Sequence, residues 1–164
     1  MTVTHRPPWL SVAVSLFAAV VACASVALSR PVGLAPAALG VLALAAGLSL
    51  GARRGVTLGA VGLFSGVLLA GAQGGGPEAL VLGLLGTVVS WDVGEHAVGL
   101  GEQLGREATT TRSELVHAAA SVAVGAAGAT LGYGVFLVAA GGQPTTALVF
   151  LLIGVVALAA AVRA

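Results

Sequence analysis

The sequence predicts an all-α integral membrane protein: a six-transmembrane-helix bundle forming one membrane domain over residues 1–164, with both termini cytoplasmic. Three observations carry this prediction. Hydrophobic residues make up 58% of the chain and charged residues 8%, whereas about a quarter of a soluble domain is charged. The apolar residues fall into six runs, each near the roughly 20 residues a helix needs to cross a hydrocarbon core. The fixed cations are all arginines, and all but Arg30 fall on one side of those runs.

The first run, near 9–29, contains Val20-Val21-Ala22-Cys23, a loose match to a lipoprotein cleavage box. Its apolar stretch continues through Leu28, past the about 7–15 residues of a signal's apolar region. It is therefore read as a span, with Cys23 a small buried residue. Cys23 has no second cysteine to pair with, which excludes an internal disulfide and a cysteine-based zinc site. The second and third spans are placed near 34–52 and 56–73, the fourth near 77–98, the fifth near 115–140 and the sixth near 145–162. Connections at 30–33, 74–76 and 141–144 are short enough to demand tight antiparallel hairpins. An even number of spans puts both ends with Arg6, Arg53, Arg54, Arg106, Arg112 and Arg163, opposite Arg30. By the positive-inside rule that side is cytoplasmic, and the chain is a multi-pass protein of the cell membrane. Arg53-Arg54 reads as a topology anchor and His5 as a tail residue.

The three outer turns share a pattern: GLAPAAL (33–39), GGGPEAL (74–80) and GGQPTTAL (141–148). Glycine precedes proline, and Ala-Leu follows as the next span opens; proline costs little at a first helical position, where its missing N–H would be unpaired anyway. With ALVLGLLG (79–86) matching ALVFLLIG (147–154), and SVAV at both 11–14 and 121–124, this is the signature of three tandem helical hairpins. Small residues also recur at helical spacing: Gly59, Gly62, Gly66 and Ala70; Gly83, Gly86 and Ser90; Ser121, Gly125, Gly128 and Gly132. They predict close helix packing, which in lipid rests on shape rather than on hydrophobicity.

The charge is concentrated in residues 90–117, SWDVGEHAVGLGEQLGREATTTRSELVH, which hold five of the six carboxylates and two of the three histidines. At about 100° per residue, Asp92, Glu95, His96, Gly99, Glu102, Gln103, Arg106 and Glu107 share one sector of about 140°. Val93, Gly94, Ala97, Val98, Leu100, Gly101, Leu104, Gly105 and Ala108 fill the other side. The fourth span is thus expected to continue into the cytoplasm as an amphipathic helix over 92–108. Its four carboxylates are the wrong sign for lying on anionic lipid. Gly94, Gly101 and Gly105 share an edge where another helix should pack. Glu102 and Arg106 are spaced for an i,i+4 pair, and Thr111-Arg112-Ser113-Glu114 reads as a capping box for the fifth span. A rise of about 1.5 Å per residue from Pro77 puts Asp92 about 22 Å along the span, so it needs a polar partner, while Trp91 suits the interfacial aromatic belt.

Net charge is +1, with no basic patch, which excludes a nucleic-acid partner. The charged stretch admits three readings. It is a solvated face; or a docking surface for a protein partner, built from Asp92, Glu95, Glu102, Arg106 and Glu107; or a site where Asp92, Glu95, His96 and His117 gather as metal ligands or as a proton relay. No HExxH is present, and no serine or cysteine is visibly paired with a base.

The run WDVGEHAVGLGEQLGREATTTRSELVH resembles the signature region of a family of small, uncharacterised multi-span membrane proteins of halophilic archaea: a Trp-Asp-x-Gly start, a Gly-Glu-Gln-Leu-Gly-Arg centre and a Glu-Leu-x-His end. The genes of such proteins neighbour those of MoxR-type ATPases. The resemblance implies a membrane subunit of an ATPase-linked assembly and no assigned activity. The expectation is a non-enzymatic scaffold or anchor without a cofactor, surrounded by lipid and docking a protein through residues 92–114. A small transporter or channel with an acidic cytoplasmic mouth is the first alternative, and a membrane metal-binding enzyme or proton relay the second.

Overall fold

The computed structural model describes residues 6–104 and 110–139. They form five helices, each long and apolar enough to cross a membrane: α1 (Trp9–Ser29), α2 (Leu34–Leu50), α3 (Arg53–Ala72), α4 (Pro77–Leu104) and α5 (Thr111–Ala139). The chain is a multi-pass membrane protein on that ground. The sixth span expected near 145–162, and the outer turn at 141–144, lie outside the described residues. The chain divides into two compact units, Met1–Thr130 and Leu131–Ala164. The first contains α1 to α4 and most of α5. In the second, Tyr133 and Phe136 stack with ring centroids 6.1 Å apart.

Helix ends depart from expectation where local chemistry overrides hydropathy. Gly51 adopts φ 64°, and the Ala52 N–H reaches back to the Gly47 carbonyl at 2.8 Å. This left-handed cap ends α2 abruptly, so α3 starts at Arg53 and takes both arginines into its first turn. The outer turns also differ from one another. Pro77 is the first residue of α4, whereas Pro31–Gly33 form a 3-10 turn that merges into α2, leaving Pro36 inside that helix. Prolines alike in sequence therefore occupy different helical positions, and the Gly…Pro pattern does not carry one turn geometry.

α1 runs antiparallel to α4, and α2 to α3, with α3 also against α4. The α2–α3 seam is built from glycine. Gly33, closing the 3-10 turn, and Gly40 and Gly47 on α2 recur every seven residues, facing Gly55, Gly59, Gly62 and Gly66. A Cβ at Gly40 would stand 2.6 Å from Leu63 N, and one at Gly59 2.6 Å from Leu44 Cβ. The seven-residue period keeps one face in register with its partner if the helices wind left-handed about each other. Gly83 and Gly86 do the same for α4 on α1, where a Cβ at Gly86 would lie 2.8 Å from the Ala18 carbonyl oxygen. Gly125 faces Leu85, while Gly128 and Gly132 have open space around them among the described residues. The glycines of α5 therefore differ from the other stripes, with Gly125 the one of these three against a described neighbour.

Between the seams, Ala19, Ala22, Val26, Leu44, Leu48, Val56 and Leu63 are buried. Hydroxyls in the spans are satisfied largely on their own helices, Ser25 donating to Val21, Thr87 to Gly83 and Ser90 to Thr87. Others cross between helices; the Ser15 hydroxyl donates to the Ser90 carbonyl at 2.6 Å. That bond fixes the depth of everything further along α4.

Candidate functional site: the polar end of α4

α4 is 28 residues long, which at about 1.5 Å each is about 42 Å and longer than a core of roughly 30 Å. Its excess lies at the arginine-bearing end. Ser90 is level with Ser15, and Gly101 lies against the Arg6–Pro7 backbone, where a Cβ would come within 2.8 Å. Asp92 is therefore level with about the fourth or fifth residue of α1, some 6–7 Å inside its start. Val93, Gly94, Ala97, Val98 and Gly101 are buried, while Asp92, Glu95 and His96 are partly exposed and Glu102 and Gln103 exposed. The two faces read from the sequence are thus present through Gly101, whereas Leu104, expected on the apolar face, is exposed. Gly94 packs against Ser15 and Val56, so the helix expected on its edge is in fact two, α1 and α3. Gly105, Arg106, Glu107 and Ala108 lie outside the described residues, and with them the Glu102–Arg106 pair.

Three groups of contacts organise this end. In the first, Arg53 spans two turns of α4. Its guanidinium donates to Glu102 at 2.7 Å and to Glu95 at 3.1 Å, and Thr57 donates to the other oxygen of Glu95 at 3.1 Å. An arginine read as a topology anchor is therefore a clasp between α3 and α4. Because Arg53 and Glu102 are about half exposed, screening limits its worth. Arg53→Gln is expected to leave the fold intact and to lower the unfolding midpoint modestly at low salt. That difference should disappear in molar salt, which unfolding titrations at the two ionic strengths would check.

The second group joins α4 to α5. Ser121 donates a hydrogen bond to Asp92 Oδ2, and His117 Nε2 lies 3.0 Å from the same oxygen. That approach is off the line a hydrogen bond needs. The His117 ring stacks on that of His96, with centroids 3.8 Å apart and planes 15° from parallel. His96 Nε2 is enclosed without a hydrogen-bond partner among the described residues. Asp92 and His96 are one turn apart on α4, as His117 and Ser121 are on α5. Asp92 thus has the partners its depth demands. Of the four candidate metal ligands, Asp92, His96 and His117 come together, but Glu95 is turned to Arg53 and Thr57. Stacked rings also present their faces to each other, so their nitrogens do not converge, and no three such groups among the described residues are placed to hold a metal ion.

The third group is at Glu114, which is 4% exposed. Its Oε2 accepts from the Ser11 N–H at 2.8 Å and the Ser11 hydroxyl at 2.9 Å, and its Oε1 from the Thr110 hydroxyl at 2.8 Å. The expected capping box is not what forms. Thr110, not Thr111, flanks α5, and the carboxylate caps the third residue of α1 instead of its own helix start. Sequence spacing cannot reveal a partner 103 positions away.

Between these groups a cleft of about 340 Å³ is lined by Arg53, Asp92, Glu95, His96, Gly99, Leu100, Gln103 and His117. Arg53, Thr57, Ser11 and the hydroxyl role of Ser121 escape a linear reading. One signal was available: the paired four-residue spacings Asp92/His96 and His117/Ser121 put polar side chains of two largely apolar helices on matching stripes.

A family model described as a family of unknown function, DUF7519, matches residues 5–159, and the chain belongs to that family. No curated protein and no solved structure matches it.

Proposed function

We propose that this DUF7519 member is a non-enzymatic membrane anchor that holds a cytoplasmic protein partner on the outer edge of residues 92–114. In this reading the chain crosses the membrane six times, with 145–162 as the last span and both ends on the arginine-rich side. The carrying observation is the bracing of α4 beyond the hydrocarbon. Arg53 grips it at Glu95 and Glu102, the Arg6–Pro7 backbone supports it at Gly101, and Glu102 and Gln103 remain exposed. A helix end braced in this way at Glu102 and Gln103 loses little conformational entropy when a partner docks. Glycine seams that admit no added methyl also favour a static support over a carrier whose halves must rock.

Asp92 is engaged by α5 and Glu95 by Arg53 and Thr57, whereas Glu102 keeps half its side chain exposed beside its bond to Arg53; the proposed docking edge is therefore Glu102 and Gln103 together with Arg106 and Glu107. The decisive experiment is gentle-detergent capture of partners by the tagged full-length chain and by a variant with those four residues changed to alanine. Capture of a stoichiometric partner should fall at least tenfold, with membrane insertion and detergent behaviour unchanged. Equal capture by both proteins would remove the docking role from this edge.

One observation favours a second reading, a small transporter or channel: the cleft places Asp92, His96 and His117 at a mouth on the arginine-rich side. Against it, the ionisable side chains of the described helices lie toward one end or the other, whereas a membrane path calls for them near the midplane.

A further inference from the structure

We propose that Asp92, His96 and His117 form a charge-counting clasp that fastens α5 to α4 and opens when both imidazoles are protonated. The unit has three titratable groups joined in series: the His96 and His117 rings stack at 3.8 Å, and His117 meets Asp92 at 3.0 Å. With one proton on the pair, a single imidazolium rests against a neutral ring and a carboxylate, and the unit is neutral. With two, like charges face each other at stacking distance while one carboxylate opposes them. Groups that strongly coupled titrate as a pair, not as separate residues.

The surroundings do not dissipate the second charge. From α3 the facing group is Arg53, which lines the cleft and adds positive charge. From α4 it is Glu95, engaged with Arg53 and Thr57. From α5 it is Glu114, which acts on His96 through space but is held by Ser11 and Thr110. α1 brings no charged side chain. Across this end of α4 and α5 the polar contacts are joined by limited apolar packing, Ala118 against the Ala18, Val89 and Val93 cluster and Gly125 against Leu85, and Thr111 to Thr130 are partly or fully exposed apart from Glu114. The cleft admits water and protons from the arginine-rich side. Histidine is the side chain whose charge changes in the physiological range, so the clasp responds to acidification on that side.

The test uses full-length protein in nanodiscs with Cys23→Ser, Val88→Cys and Val124→Cys, spin-labelled at the two new cysteines. Both valines are exposed and lie away from the cleft. The expected result is one short distance at pH 8 and a second, longer population at pH 5. With H96Q and H117Q together, the distribution should not change with pH. An unchanged distribution in the parent, or the same acid response in the double glutamine variant, would overturn the proposal. Amide exchange over residues 111–121 of the unlabelled protein is the second measurement. Corrected for its intrinsic pH dependence, it should speed at least tenfold at pH 5 in the native chain and not in H96Q/H117Q; equal rates at both pH values in the native chain would also refute the clasp.

Discussion

Replacing Glu114 by alanine is expected to destabilise the bundle by about 2–3 kcal/mol, the range for losing charge-assisted hydrogen bonds to a buried carboxylate. Three donors lose their acceptor together: the Ser11 N–H, the Ser11 hydroxyl and the Thr110 hydroxyl. The first of these is among the amides that a helix start cannot satisfy internally, and α1 has no side-chain cap of its own, since Pro8 stands at the cap position. Glu114 also sits in the first turn of α5, so one negative charge complements two helix N-termini. Glu114→Gln keeps an acceptor oxygen and should cost clearly less than alanine. SDS titration in mixed micelles would measure both, and a double-mutant cycle with Ser11→Ala would assign the loss to this contact. An alanine variant as stable as the native protein would mean that water reaches these donors and caps α1 equally well. The contact also bears on the proposed function. It ties the start of α5 to the start of α1 and so fixes one end of the segment that presents the docking edge; partner capture should weaken in Glu114→Ala even though no docking residue has changed.

What the sequence disclosed, and what it hid, follows from the range of each interaction. The five described helices were legible because a bilayer imposes one length and one polarity on every span. The continuation of α4 beyond residue 98 to Leu104 was legible as well, because a polar stripe at helical spacing is local information. Asp92's need for a partner followed from its depth, but the partner's identity did not, since His117 and Ser121 come from another helix. The same limit misread Arg53, whose charge serves topology in any one-dimensional account and whose second role exists only because Gly51 ends α2 early enough to bring it beside α4. Glu114 was misread for the opposite reason. Thr-x-x-Glu before an apolar run is a good local signal, and a distant helix start outcompeted it.

Placing valine at Gly59 is expected to abolish stable α2–α3 pairing, and alanine there should cost about 1–3 kcal/mol, the range for overpacking a closely fitted site. In water an exposed helical Gly→Ala exchange would gain about 1 kcal/mol from helix propensity, so the sign depends on the space available. Here a Cβ would meet Leu44 Cβ at 2.6 Å and Leu44 N at 2.7 Å. The second of these is backbone and cannot turn aside as a side-chain tip could; α2 must move. Lipid offers no compensating hydrophobic term, because separated helices lose apolar burial to a solvent that is itself apolar. What is lost is the close contact along the whole seam, since Gly40, Gly47 and Gly55 approach their neighbours equally closely. Gly128→Ala is the matched control: with open space around it, it should be neutral or slightly stabilising in the same SDS titration. If Gly59→Val and Gly128→Ala unfolded alike, the glycine seam would not be what holds α2 to α3. The seven-residue spacing of Gly33, Gly40 and Gly47 would then need a different cause.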